Sequence, residues 1–99
     1  MEDCKANILV VEDEKMAKTI LPHMGKLPHL KKIIQWTGSP SGLNSDVISW
    51  DDAMKIGAED TNDQPVLKRH STMAINECCL LVYTSGTTGN PKGEIKYLR

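Results

Sequence analysis

The sequence predicts an α/β layered fold in which parallel strands alternate with helices. Two observations carry that prediction. Short apolar runs lie at 8–11, 33–36 and 78–83, and the segments between them repeat apolar residues at helical spacing. Alternation of this kind favours a parallel sheet layered with helices.

The first run, Ile8, Leu9, Val10 and Val11, is continuous and β-branched, the pattern of a strand covered on both faces. Asp13 follows as a helix cap, and Met16, Ala17, Ile20 and Met24 recur at helical spacing behind it. Pro22 lacks the amide proton that a helix interior requires, so the helix ends or bends near Leu21. The second run, 33–36, comes after Pro28. Residues 37–44, with two glycines, a proline and two serines, read as a loop. Ser49 is placed to cap a second helix beginning at Trp50 or Asp51, with Ala53, Met54 and Ile56 facing inward and Gly57 as its stop. An acidic, polar connection at 58–65 precedes a helical turn or two at 66–73. The strand 78–83 is the last strong element, and it hands the chain to a loop at 83–93.

Composition narrows the function classes. Twelve basic and thirteen acidic residues leave a net charge of −1, which argues against a nucleic-acid or anionic-membrane surface. No apolar run reaches the roughly twenty residues of a membrane span, and Glu2 and Asp3 replace the basic start of a signal peptide. A soluble, cytoplasmic protein is expected, with peripheral membrane attachment open through parts of a longer protein. Three cysteines fit a reducing compartment better than a disulfide framework. His23, His29 and His70 stand singly and the cysteines lack ligand spacing, so no metal site is expected. Four aromatic residues and no phenylalanine leave the core to Ile, Leu, Val and Met.

The loop at 83–93, Tyr83-Thr84-Ser85-Gly86-Thr87-Thr88-Gly89-Asn90-Pro91-Lys92-Gly93, is the most narrowly specified stretch. Gly86, Gly89 and Gly93 tolerate conformations in which successive backbone N–H groups turn inward on an anion. Thr84, Ser85, Thr87 and Thr88 add hydroxyl donors, Lys92 adds a point charge, and Pro91 stiffens the backbone beside it. The spacing is not that of a Walker A loop, because Pro91 precedes the lysine and Gly93 follows it.

The ordered string resembles the phosphate-binding signature of the adenylate-forming superfamily, and all eleven of its positions fit. Residues 79–82 look like the buried strand that delivers this loop. Upstream, ANILVVED at 6–13, LPHLKKIIQW at 27–36 and SWDDAMKIG at 49–57 look most like long-chain acyl-CoA synthetases of the bubblegum type. The resemblance implies that residues 1–99 are one partial domain, an internal slice of the large N-terminal domain of a much longer enzyme, ending in the phosphate-binding loop. It implies ATP, Mg²⁺ and coenzyme A as substrates or cofactors and a fatty acid as acyl donor. Thr84, Ser85, Gly86, Thr87, Thr88, Gly89 and Lys92 map onto the nucleotide-phosphate contacts, while Tyr83 and Gly93 map onto structural positions. No catalytic residue falls within the chain, and the 99 residues alone are expected to be inactive.

Two alternatives stand beside this one. A noncatalytic truncated product would carry the same signature without the activity. A receiver-type signalling domain would explain Glu12, Asp13 and Glu14 after the first strand as Mg²⁺ ligands, with Asp51 or Asp52 as phosphoacceptor. Both aspartates, however, fall where a helix is expected to begin.

Overall fold

The computed structural model describes residues 4–84 and 92–97. The chain forms two units, residues 1–61 and residues 62–99. Among the described residues, no helix is long and apolar enough to cross a membrane.

The first unit is a three-stranded parallel sheet of β1 (Ile8–Val11), β2 (Lys32–Gln35) and β3 (Val47–Ser49), in the order β1-β2-β3. Register pairs Leu9 with Ile33 and Val11 with Gln35, and on the other side Ile33 with Val47 and Gln35 with Ser49. Between β1 and β2 run α1 (Glu14–Ile20) and a 3-10 helix over Leu21–Lys26. Asp13 is extended and its carboxylate accepts from the Met16 amide at 2.9 Å, which satisfies one of the orphan donors of the first turn. Pro22 sits in the first turn of the 3-10 segment, where a residue without N–H is tolerated, and the α-helix ends two residues before it.

Val11, Ala17, Leu30, Ile33 and Val47 make the core, edged by Leu9, Ile20, Leu21, Met24, Leu27 and Leu43. Ala17 has no exposed surface: its small side chain lets α1 lie close on β1 and β2. β1 differs from the expected strand covered on both faces. Leu9 and Val11 pack inward, whereas Ile8 and Val10 are 56% and 50% exposed, because α1 covers one side of the strand.

Beyond its strands the sheet is extended by the backbone of Trp36, donating to Val11 O, and of Thr37, donating to Glu12 O, both at 2.8 Å. The Thr37 hydroxyl donates to the same Glu12 carbonyl. Gln35 is buried and its Nε2 donates to Thr37 O at 2.7 Å, holding a turn in which Gly38 takes φ +70°, a conformation that favours glycine.

β3 was not expected from the sequence. An Asx turn precedes it, with the Asp46 amide donating to Asn44 Oδ1 at 3.1 Å, and Val47 and Ser49 are then buried against β2. Ser49 closes the strand and caps α2 (Trp50–Glu59): its hydroxyl accepts from the Asp52 amide at 3.0 Å and donates to Asp52 Oδ2 at 2.7 Å. This reciprocal arrangement is a capping box with aspartate in the third position. Two expectations about α2 are corrected. Gly57 does not stop the helix, which continues to Glu59. Met54 and Ile56 are exposed, because α2 meets the sheet through its first turns, where Trp50 and Ala53 are half-buried. The Trp50 ring centroid lies 4.4 Å from that of Trp36, with the rings tilted by 48°, a close aromatic contact.

The second unit holds α3 (Gln64–Thr72) and an antiparallel hairpin of β4 (Cys78–Thr84) and β5 (Lys92–Tyr97). α3 starts without a side-chain cap, has Pro65 in its first turn and buries no residue. The parallel sheet expected from the sequence is formed by β1 to β3, and at the C-terminal end a further strand, β5, returns antiparallel to β4. A two-residue ladder step opposite one residue between Cys78 and Leu80 marks a β-bulge. Leu80 is 54% exposed and Leu81 40%, so β4 is not the buried strand that its apolar run suggested. A two-stranded ribbon covers neither of its own faces.

Candidate functional site

The hairpin sets the geometry of the candidate site. Below the bulge the register is regular, running Leu81 with Ile95, Val82 with Glu94, Tyr83 with Gly93 and Thr84 with Lys92. Thr84 and Lys92, the first and last residues of the predicted phosphate-binding set, are therefore directly opposed on adjacent strands. Antiparallel partners lie about 4.5–5.5 Å apart at Cα, so the two ends of the signature meet on one rung of the ladder. Ser85, Gly86, Thr87, Thr88 and Gly89 lie outside the described residues. Thr84 is exposed at the end of β4, with its hydroxyl on the last rung before the loop.

The rung below is fixed by shape. A Cβ placed on Gly93 would lie 3.1 Å from Cε1 of Tyr83 and 3.5 Å from its Cδ1 and Cζ. The tyrosine ring therefore occupies the space over the glycine on the opposing strand. Gly93, mapped onto a structural position, is a strand residue whose missing side chain admits the ring. Nothing in sequence spacing signals this pairing, because it depends on β5, a polar segment that follows the loop without an apolar run of its own.

Three of the carboxylates that suggested a phosphoacceptor site have structural tasks. Asp13 caps α1, Glu14 pairs with Lys18 at 2.5 Å and accepts from Ser41 Oγ at 3.5 Å, and Asp52 completes the cap of α2. The Ser49 hydroxyl bond holds the Asp52 carboxyl below its ordinary value of 3.8, desolvation opposes it, and Lys55 at 3.6 Å adds to the lowering. Among the described residues no three His, Cys, Asp or Glu side chains gather as a metal site. Asp51 lies in the first turn of α2, just past β3, but β2 separates β3 from β1, which the acidic residues Glu12 to Glu14 follow, so the receiver arrangement is not formed.

The family model for AMP-binding enzymes matches residues 1–95. Long-chain-fatty-acid–CoA ligase ACSBG2 of Xenopus laevis is 41% identical over 92 residues, which are 93% of this chain and 12% of that protein. ACSBG2 of Gallus gallus is 42% identical over 93 residues, with the same two shares, and ACSBG1 of Homo sapiens is 38% identical over 91 residues, 92% of this chain and 12% of the relative. The chain thus spans about one-eighth of the length of the curated relatives it matches. No solved structure matches it. The matched region takes in both the parallel sheet and the Tyr83-to-Gly93 signature, and on that basis the chain belongs to the AMP-binding enzyme family.

Proposed function

We propose that this chain supplies the ATP phosphate-binding loop of an adenylate-forming long-chain fatty acid–CoA ligase. The observation that carries the reading is the hairpin closure, with Thr84 opposite Lys92 and the Tyr83 ring over Gly93. It brings both ends of a seven-residue, hydroxyl- and glycine-rich segment to one point, as a loop that wraps an anion requires. The names of the similar ligases support the substrate class.

In the first stage a fatty acid carboxylate oxygen attacks the α-phosphorus of ATP, the bond to the bridging oxygen breaks, and pyrophosphate leaves. In the second stage the coenzyme A thiol attacks the acyl carbonyl of the adenylate, AMP departs and a thioester forms. Charge builds on the departing pyrophosphate. Backbone N–H groups at Gly86 and Gly89, the hydroxyls of Thr84, Ser85, Thr87 and Thr88 and the ammonium of Lys92 are the groups we assign to receive it, by preorganised electrostatic stabilisation. Mg²⁺ would neutralise phosphate charge; among the described residues no three His, Cys, Asp or Glu side chains gather to hold it, so no residue of this chain is assigned to it. We assign the activity to the cytoplasm or the surface of membranes, where acyl chains partition.

The test is a chimera in which residues 1–95 replace the matching segment of the Xenopus laevis ligase. Lys92→Ala in that background should lower ATP–pyrophosphate exchange by about ten- to a hundredfold, the equivalent of one charge-assisted hydrogen bond of 1.5–3 kcal/mol, with unchanged thermal unfolding. Exchange at the parental rate would remove Lys92 from the assigned role.

A further inference from the structure

A second site lies on α3, away from the loop in sequence. Its last residues read Lys68, Arg69, His70, Ser71 and Thr72, and all five are exposed. The Ser71 hydroxyl is thus preceded by a cation at three positions and another at two. Ser71 Oγ donates to Lys68 O at 2.9 Å, and Thr72 Oγ1 to Lys68 O at 3.0 Å and Arg69 O at 3.1 Å.

Such a segment is readily opened. Isolated helices shorter than about 12–15 residues are marginal in water. α3 has nine residues, no side-chain N-cap and no buried position, and its apolar Val66 and Leu67 are themselves exposed. Its last turn carries its own backbone bonds and the three hydroxyl contacts. Unwinding residues 68–72 exposes no core and costs little. In the extended form, Lys68, Arg69 and Ser71 become a linear string that an acidic cleft can grip through charge-assisted bonds.

We infer that Ser71 is a phosphoacceptor for a basophilic Ser/Thr protein kinase, with Lys68 and Arg69 as the recognition cations. In the transfer, Ser71 Oγ attacks the γ-phosphorus of the kinase's Mg·ATP and the Oγ–P bond forms as the bond to the β,γ-bridging oxygen breaks. The hydroxyl proton passes to the kinase's carboxylate base and ADP leaves. The phosphoester oxygen has no proton, so the bond from Ser71 to Lys68 O is lost, and negative charge is placed in the last turn of the helix, where the backbone dipole disfavours it.

Purified 99-residue chain is incubated with the catalytic subunit of cyclic-AMP-dependent protein kinase and radiolabelled ATP, and the site is read by tandem mass spectrometry. One phosphate on Ser71 is expected, with labelling abolished in Ser71→Ala and kcat/KM lowered about tenfold or more in Lys68→Ala/Arg69→Ala. All three side chains are exposed, so circular dichroism of the variants should overlay that of the parent chain. Labelling retained in Ser71→Ala, labelling confined to Thr72, or indifference to removal of both cations would each overturn the assignment.

Discussion

Tyr83 and Gly93 form a matched pair across the β4–β5 ladder, the ring of one filling the space that a side chain on the other would take. The contact predicts an asymmetric mutation series. Gly93→Ala puts a methyl 3.1 Å from Cε1, but the tyrosine is 41% exposed and can yield by a few tenths of an ångström. The backbone-entropy gain of about 0.4–1 kcal/mol offsets that cost, so the change should be near neutral. Gly93→Val cannot be relieved in the same way and should destabilise the hairpin by about 1–3 kcal/mol. In a Tyr83→Ala background the valine should become neutral or stabilising, since β-branched residues suit strands. Hydrogen exchange of the Leu81 and Val82 amides would measure this coupling; additive effects would remove the pairing.

Ser49 and Asp52 lock the start of α2 in a reciprocal cap, and this gives the fold an acid-sensitive point. The native pKa of Asp52 lies below its ordinary value of 3.8, chiefly through the Ser49 hydroxyl. The ionised form is therefore favoured by folding. Its contribution is fully present above pH 3.8 and is lost as pH falls through the lowered native value. Ser49→Ala should cost about 1 kcal/mol at neutral pH through loss of the cap to the Asp52 amide, and should flatten this part of the acid limb. Urea midpoints for both proteins between pH 2 and pH 6 would check it, and parallel acid limbs would contradict the assignment.

The elements that were legible in the sequence are those specified by local chemistry. Asp13 and Ser49 announce helix starts because a cap is decided within three residues, and Pro22 announces an end because it lacks a donor. β3 was missed for the opposite reason. Three residues are too few to show a period, and Val47 becomes a strand residue only by lying opposite Ile33. β5 was missed because its backbone is recruited by β4, whatever its polar side chains prefer. The loop signature was read from residue order, yet the opposition of Thr84 and Lys92 that gives it shape is a long-range pairing without a local sign. The apolar runs of β1 and β4 overstated burial, since hydrophobicity alone does not say how many faces are covered.

Gly57 supplies a test of the corrected extent of α2. It lies inside the helix with φ outside the left-handed region, and a Cβ built upon it would meet nothing within 4 Å beyond the adjoining helix backbone. Gly57→Ala should then stabilise the first unit by about 0.5–1 kcal/mol, through the lower helix propensity and greater unfolded-state entropy of glycine. Had the helix stopped at this residue, as the sequence pattern suggested, the same change would be neutral or harmful. Thermal unfolding followed by far-ultraviolet circular dichroism distinguishes these outcomes.

Nucleotide affinity of the 99-residue chain should be poor even with an intact loop. Association costs about 4 kcal/mol or more before any contact is counted, and neutral hydrogen bonds return about 0.5–1.5 kcal/mol each. A single loop offers a handful of these together with Lys92. The balance lies near the −4.1 kcal/mol that corresponds to a dissociation constant of about 1 mM. Isothermal titration with Mg·ATP should show no saturation in the micromolar range, and the chain alone should form no acyl adenylate from a fatty acid. A low-micromolar constant would mean that the hairpin and its loop build a nucleotide site by themselves; weak binding here with restored exchange in the chimera would place the remaining affinity in the surrounding enzyme.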